Sequence, residues 1–113
     1  MAGKTQSKPG WASVPDTFLA LPREQNTLDH SNVVVLPVPY DGTTTYRGGT
    51  REGPAAIIRA SRQMEDFDVE LKTSPSLNNG IYTAPEMEPH AGSPEHMVGK
   101  VTEAVTWYSA QDK

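Results

Sequence analysis

A run of four apolar residues, Val33 to Leu36, constrains the fold of this chain more than any other feature of the sequence. Three of the four are β-branched valines, which favour a strand, and no polar residue alternates with them. Such a run is typical of a strand that is buried on both faces, as in a parallel sheet covered by helices. Pro37 and Pro39 cannot donate a hydrogen bond to a neighbouring strand, so the strand is predicted to end there. The run therefore predicts an α/β fold.

The segment after this strand, residues 37–53, is predicted to be a long functional loop. It contains four glycines and shows no apolar periodicity. Connections in α/β units usually take about 2–6 residues, and a loop of greater length without secondary structure is often functional. Ligands of open α/β sheets bind at the carboxyl ends of the strands, which is where this loop begins. Its candidate substrate-binding or cleft-rim residues are Asp41, Arg47 and Arg51.

Two interpretations of these charged residues remain open. The glycines, the arginines and the start of the next helix could form a cradle for an anion. Alternatively, Arg47, Arg51 and Arg59 pair with carboxylates such as those of Asp41 and Glu52, which is the commoner role for a single arginine. The chain lacks both the lysine of a P-loop and the G-x-G-x-x-G spacing of a dinucleotide site.

The remaining elements follow from local patterns. A helix is predicted over residues 54–64, because Pro54 suits the first helical position. Residues 67–71 alternate between apolar and acidic side chains and are predicted to form a short, half-exposed strand, and residues 80–82 another. The predicted core face of the 54–64 helix consists of Ile57, Ala60, Ser61 and Met64.

A final helix is predicted from Pro94 to the end of the chain at residue 113. Ser93 is a suitable N-cap, and Glu95 places a negative charge in the first turn. No Gly or Asn stop signal follows. Its apolar stripe consists of Met97, Val101, Ala104, Val105 and Tyr108.

Composition limits the class of protein. The 113 residues permit one domain at most, and 14 acidic against 10 basic residues argue against nucleic-acid binding through a basic surface. No apolar run has the length of a membrane span, and the chain contains no cysteine. We expect a cytoplasmic protein with a disordered lead-in over residues 1–15 and one α/β unit over residues 16–113. One strand and two helices cannot close a core, so this unit is expected to be incomplete.

Potential metal ligands are sparse. His30, His90 and His96 lack the spacing of a ligand pair. Glu86, Glu88 and His90 alternate in a segment bracketed by prolines, and a solvated acidic loop is the expected structure there. We predict no catalytic residue and no metal ligand in this chain.

One long stretch, LPVPYDGTTTYRGGTREGPAAIIRAS at residues 36–61, resembles the N-terminal signature of the ureohydrolases, the arginase/agmatinase family. Agmatinases are the most similar members. Their first strand ends in Pro and a Tyr- or Phe-Asp pair, and a loop rich in Gly and Arg leads to a helix that begins Gly-Pro. Residues 63–71 and 18–22 fit the same pattern, so that the resemblance covers residues 16–113.

The resemblance implies the N-terminal portion of a three-layer α/β/α fold around a parallel sheet. It also implies a hydrolase of linear amidines, in which two Mn²⁺ ions activate a hydroxide that attacks the guanidinium carbon of the substrate. Agmatine is the expected substrate, with urea and putrescine as products, and such enzymes are expected to form homo-oligomers. The metal-binding motifs of the family, Gly-Gly-Asp/Glu-His-Ser, Asp-Ala-His-x-Asp and Ser-x-Asp-x-Asp, do not occur in this chain.

Two hypotheses follow. The chain is either a fragment of a ureohydrolase, inactive by itself, or a non-catalytic interaction or regulatory module that retains the N-terminal ureohydrolase fold. We favour the fragment, because the predicted buried strand has too few partners. Neither hypothesis involves nucleic acid or a membrane.

Overall fold

The computed structural model of the chain describes residues 15–90 and 92–113. Its elements are, in chain order, β1 (Val33–Val35), α1 (Gly53–Ser61), α2 (Pro75–Asn79), β2 (Ile81–Thr83) and α3 (Pro94–Ser109). Short 3-10 turns lie at Phe18–Ala20 and Thr50–Glu52. The prediction of a disordered lead-in over residues 1–15 concerns residues that, apart from Pro15, lie outside the described part of the chain.

The two strands form a parallel pair. Val33 is in register with Ile81, and Val35 with Thr83. The Val33 N–H donates to the carbonyl oxygen of Gly80 at 3.3 Å, and the Ala84 N–H donates to that of Val35 at 2.9 Å. The α/β fold with a parallel sheet that the valine run predicted is confirmed.

Structure covers both faces of this small sheet. On one face the Phe18 N–H donates to Thr83 Oγ1 at 2.9 Å, and the Leu19 N–H donates to Ser61 Oγ at 2.8 Å, so the 18–20 turn joins β2 to α1. On the other face the rings of Tyr82 and Tyr108 lie 6.5 Å apart, which brings α3 against the sheet. The result is a small parallel sheet with structure packed on each face.

The burial of β1 differs from the prediction. The run was expected to be buried on both faces, but Val33 is 44% exposed, and Val34 and Val35 are half-buried. The physical reason is that β2 is the one strand paired with β1 among the described residues. The side chains of a parallel strand are shielded from solvent when the strand lies inside a covered sheet, with a neighbouring strand on each edge.

Helix α1 begins close to the predicted position and ends three residues early, and its buried face agrees with the predicted one only at Ser61. Ile58 and Ser61 are buried, whereas Ile57 and Met64 are 63% and 62% exposed. Ser61 faces inward because its hydroxyl accepts the Leu19 N–H and donates to the Ile58 carbonyl. The position of the 18–20 turn therefore decides which face of the helix is covered.

The strand predicted at residues 67–71 is absent from the structure. Asp68 instead forms a turn, in which one carboxylate oxygen accepts the N–H groups of Glu70 and Leu71, both at 2.9 Å. Phe67, Val69 and Leu71 remain exposed. Local hydrogen bonds of an aspartate thus outweigh the alternating pattern.

The start of α3 is as predicted. Ser93 Oγ accepts the His96 N–H at 3.3 Å, and Met97 is 2% exposed. The helix ends at Ser109 rather than at residue 113, in a turn where Asp112 has a φ of 63°. No helix among the described residues has the length and apolar composition needed to cross a bilayer.

Candidate functional site

The candidate loop begins directly after β1 and is organised by Asp41. Asp41 Oδ2 accepts two hydrogen bonds, from the Gly49 N–H and from Arg51 Nε, each at 3.0 Å. The Asp41 carbonyl also accepts from the Thr44 N–H and hydroxyl, at 3.1 and 2.8 Å. One residue thereby joins the two ends of the loop and shapes the turn between them.

The far end of the loop suits this contact. Gly49 has a φ of 122°, a conformation that residues with a side chain rarely adopt, and the 3-10 turn Thr50–Glu52 follows it. This turn carries Arg51 back towards Asp41. Glycine at position 49 therefore allows both its own N–H and the Arg51 side chain to reach the Asp41 carboxylate.

The electrostatics favour the ionised carboxylate. The hydrogen bond from the Gly49 N–H, followed by that from Arg51, holds the pKa of the Asp41 carboxyl below its ordinary value of 3.8. The Asp41 side chain is 13% exposed, whereas that of Arg51 is 63% exposed. A charge-assisted bond to a shielded carboxylate is stronger than a neutral one, so Asp41 is the anchor of the pair.

Arg47 does not join Asp41 and Arg51. Its guanidinium lies 5.5 Å from the ring centroid of its neighbour Tyr46, and Tyr46 is 88% exposed. Of the described carboxylates, none is within ion-pair distance of Arg47. Among the described residues, Arg47 therefore does not make the ion pair that the second interpretation expects of it.

The structure distinguishes the two interpretations of the arginines, an anion cradle and ion pairs with carboxylates. Arg51 is engaged by Asp41, so its guanidinium is already partly neutralised. Glu52 stands at the N-cap of α1 and adds negative charge where an anion would need positive potential. The structure favours the ion pair over the anion cradle.

An apolar groove beside this loop was not predicted. It has a volume of about 550 Å³ and lies between the first residues of the loop and α3. Sequence patterns place Met97 and Val101 on the helix stripe but do not indicate what the stripe faces. Its lining residues are Val38, Tyr40, Thr43, Pro94, Met97, Val98, Val101, Thr102, Val105 and Thr106.

The potential metal donors are not arranged as a site. Within residues 15–90 and 92–113, no three His, Cys, Asp or Glu side chains are placed to hold an ion. The rings of His90 and His96 stack at 4.9 Å, and the Nδ1 atom of each is engaged, with the Gly92 N–H and with Ser93 Oγ respectively. Glu86 and Glu88 are exposed. The described residues therefore do not fit a binuclear manganese centre.

A parallel sheet between helical layers, with a polar loop at the carboxyl end of its first strand, defines an α/β protein. The model of the arginase family matches residues 31–113, and the chain belongs to that family.

The relatives are named as N(1)-aminopropylagmatine ureohydrolases and as an agmatinase. The N(1)-aminopropylagmatine ureohydrolase of Synechocystis sp. is 50% identical over 64 residues, which are 57% of this chain and 20% of that protein. The enzyme of the same name from Thermus thermophilus is 43% identical over 67 residues, 59% of this chain and 22% of that protein. The agmatinase of Pyrococcus horikoshii is 33% identical over 61 residues, 49% of this chain and 22% of that protein.

The chain spans about a fifth of the length of these curated relatives. No solved structure matches it at a comparable level of significance.

Proposed function

We propose that this chain is part of a ureohydrolase. In that enzyme it would supply two parallel strands, the helices that pack against them and the loop of residues 37–53. The observation that carries the proposal is the family match over residues 31–113, together with relatives whose names are those of ureohydrolases. The small share of each relative that the chain spans supports a division in which the hydrolytic centre lies outside the described residues.

The proposed substrate class is a guanidino-amine, agmatine or its aminopropyl derivative. Hydrolysis would replace the guanidino group by a primary amine and release urea, so that agmatine would give putrescine. A manganese pair, where the complete enzyme holds one, would supply the activated hydroxide. Because the described residues do not fit that pair, we assign no step of hydrolysis to them.

The test is urea release in the presence of Mn²⁺. The 113-residue chain and the product of the longest reading frame that contains it are each incubated with agmatine, aminopropylagmatine and arginine. We expect urea from the longer product with the first two substrates and none from the 113-residue chain. Urea from the short chain would overturn the division proposed above. A longer product that hydrolyses no guanidino compound would favour the non-catalytic module.

We propose further that the loop borders the substrate cleft or a subunit contact beside it. Its place at the carboxyl end of β1 supports this, since ligands bind at that edge of open α/β sheets. Asp41 and Arg51 would hold the loop in shape, and Arg47 would lie at its exposed tip. Arginines would not bind a cationic guanidinium directly, because like charges repel.

Arg51→Ala in the longer product tests this role. Removing the guanidinium deprives Asp41 of its charged partner, so we expect lower turnover or altered assembly with an unchanged manganese content. Arg59→Ala removes the same charge from the exposed side of α1 and is the matched control. Wild-type kinetics and oligomeric state in Arg51→Ala would contradict the proposal.

The homo-oligomeric state and the cytoplasmic location stay predictions. Size-exclusion chromatography with light scattering on the longer product tests the first, and fractionation of the source cells tests the second.

A further inference from the structure

Asn79 and Gly80 form the one Asn-Gly pair in the sequence, and they lie at the junction of α2 and β2. Asparagine is a thermolabile residue, because the backbone nitrogen of the following residue can attack its side-chain amide. Glycine hinders this attack least, since it has no Cβ. Asn79 is exposed, so water can reach it. The pair therefore meets the chemical requirements of deamidation.

In the folded junction, hydrogen bonds engage both of the groups that would react. The attacking atom, the Gly80 nitrogen, donates its hydrogen to the Ser76 carbonyl oxygen at 2.8 Å. The leaving group, Nδ2 of Asn79, donates to the Pro75 carbonyl oxygen at 2.9 Å. Both acceptors belong to α2, so the reaction requires that the C-terminal end of this helix opens first.

Helix α2 has the features of an element that opens locally. It has only five residues, and the Ser74 side chain at its N-cap makes no capping bond. Its start is held instead by the Asp66 carboxylate, which accepts the backbone N–H and the hydroxyl of Ser76. Leu77 is 79% exposed, so the helix buries little apolar surface. Short helices with few buried contacts have low local stability, and the contact with Asp66 is therefore important for keeping α2 closed.

We propose that Asn79 is a self-modification site, at which the rate of deamidation is set by the opening of α2. In the open state the Gly80 nitrogen bonds to Cγ of Asn79, the Cγ–Nδ2 bond breaks, and ammonia leaves with the proton of the Gly80 nitrogen. Water then adds to either carbonyl carbon of the cyclic imide and breaks the bond of that carbon to the nitrogen. The product is aspartate, or isoaspartate where the original peptide bond is the one broken.

The isoaspartate product would disturb the pairing of the strands. The Asn79 carbonyl accepts the Asn32 N–H at 2.7 Å, and the Gly80 carbonyl accepts the Val33 N–H at 3.3 Å. Isoaspartate inserts a methylene into the main chain between the Asn79 Cα and the Gly80 nitrogen, and it adds a negative charge. Gly80 has no room to absorb the added length, because it is buried and even a Cβ there would lie 2.6 Å from the His30 carbonyl oxygen.

The test is peptide mapping by mass spectrometry of the product of the longest reading frame that contains this chain. The protein is incubated at neutral pH in buffer and in guanidinium chloride, and cleavage at Lys72 and Lys100 releases residues 73–100, whose asparagines are Asn78 and Asn79. We expect Asn79 to deamidate at least about tenfold more slowly in buffer than in denaturant. Asn78 is the internal reference, because no glycine follows it. Equal rates would contradict control by α2, and an intact Asn79 in denaturant would overturn the site.

A pair of variants connects the rate to α2. Asp66→Ala removes the carboxylate that holds Ser76, so we expect Asn79 to deamidate at least about fivefold faster in buffer and at the wild-type rate in denaturant. Asp68→Ala is the matched control, because Asp68 accepts two backbone N–H groups in the turn before α2. The same acceleration in both variants, or none in Asp66→Ala, would overturn the proposal.

The effect on strand pairing has its own measurement. The isoaspartate form is separated by chromatography, and exchange of the Val33 amide is followed by NMR. We expect this exchange to be at least about tenfold faster than in Asn79→Asp, which carries the same charge on an unaltered main chain. Equal exchange in the two would contradict the proposed effect. None of these measurements uses urea release, so the inference and the proposed function can fail separately.

Discussion

At the scale of single residues, Asp41 determines the conformation of the candidate loop. Its carboxylate accepts the Gly49 N–H and Arg51 Nε, and the pKa of the group lies below 3.8. A carboxyl whose pKa is lower in the folded state stabilises the fold above its unfolded pKa, and the contribution is lost as pH falls through the folded pKa. The loop is therefore expected to loosen only below pH 3.8.

The Gly49 amide resonance reports this titration. In the 113-residue chain we expect its chemical shift to change with a midpoint below 3.8, and in Asp41→Asn we expect no such midpoint and faster amide exchange at pH 7. Asp68→Asn is the control, because Asp68 makes the same kind of backbone contact in another turn. A Gly49 amide unaffected by Asp41→Asn would show that the loop is held by other contacts.

At the scale of elements, the junction of α2 and β2 sets the pairing of the strands. Gly80 has a φ of 68°, and a Cβ there would lie 2.6 Å from the carbonyl oxygen of His30. Gly80→Ala therefore combines an unfavourable backbone conformation with a steric clash beside β1. We expect a loss of about 1–3 kcal/mol in the free energy of unfolding, measured by chemical denaturation of the product of the longest reading frame that contains this chain.

Gly99→Ala is the matched control for Gly80→Ala. Gly99 lies in α3, and a Cβ there would meet no atom within 4 Å. Alanine is the better helix former, so this variant should gain up to about 1 kcal/mol. Equal effects of the two substitutions would contradict the close approach at Gly80.

Elements with strong local signals were predictable from the sequence. The valine run sufficed for β1, and Ser93 followed by Pro94 sufficed for the start of α3. The buried face of α1 was not predictable, because both Ile57 and Ile58 fit a helical period. The choice depends on the contact of Ser61 with Leu19, which is 42 residues away in sequence.

The candidate site was predictable to a similar extent. The sequence indicated Asp41 as one of several candidate partners for three arginines, and the structure pairs it with Arg51. The contribution of Gly49 to the loop was not predicted, since Gly49 contacts Asp41 through its backbone N–H rather than through a side chain. The groove between Val38 and α3 depends on how two distant segments pack, and no local pattern reports that.

At the scale of the whole molecule, the described residues bury little apolar surface. Apart from Pro37, the buried hydrophobic side chains are Ile58, Ala84 and Met97, while Trp107 and Val98 of α3 are 54% and 64% exposed. So small a buried core agrees with a chain that forms part of a larger sheet. The apolar surface that remains exposed includes residues of β1 and α3.

Manganese binding tests the whole-molecule division directly. Mn²⁺ binds carboxylates and imidazoles, but the described His, Asp and Glu side chains do not converge. Calorimetry of the 113-residue chain with MnCl₂ should therefore give only weak binding to exposed carboxylates, attracted by the net charge of −4 and lost as salt is raised. A stoichiometric, salt-resistant site would overturn this expectation, and Glu88→Gln and His90→Ala would then determine whether the 86–90 segment forms it.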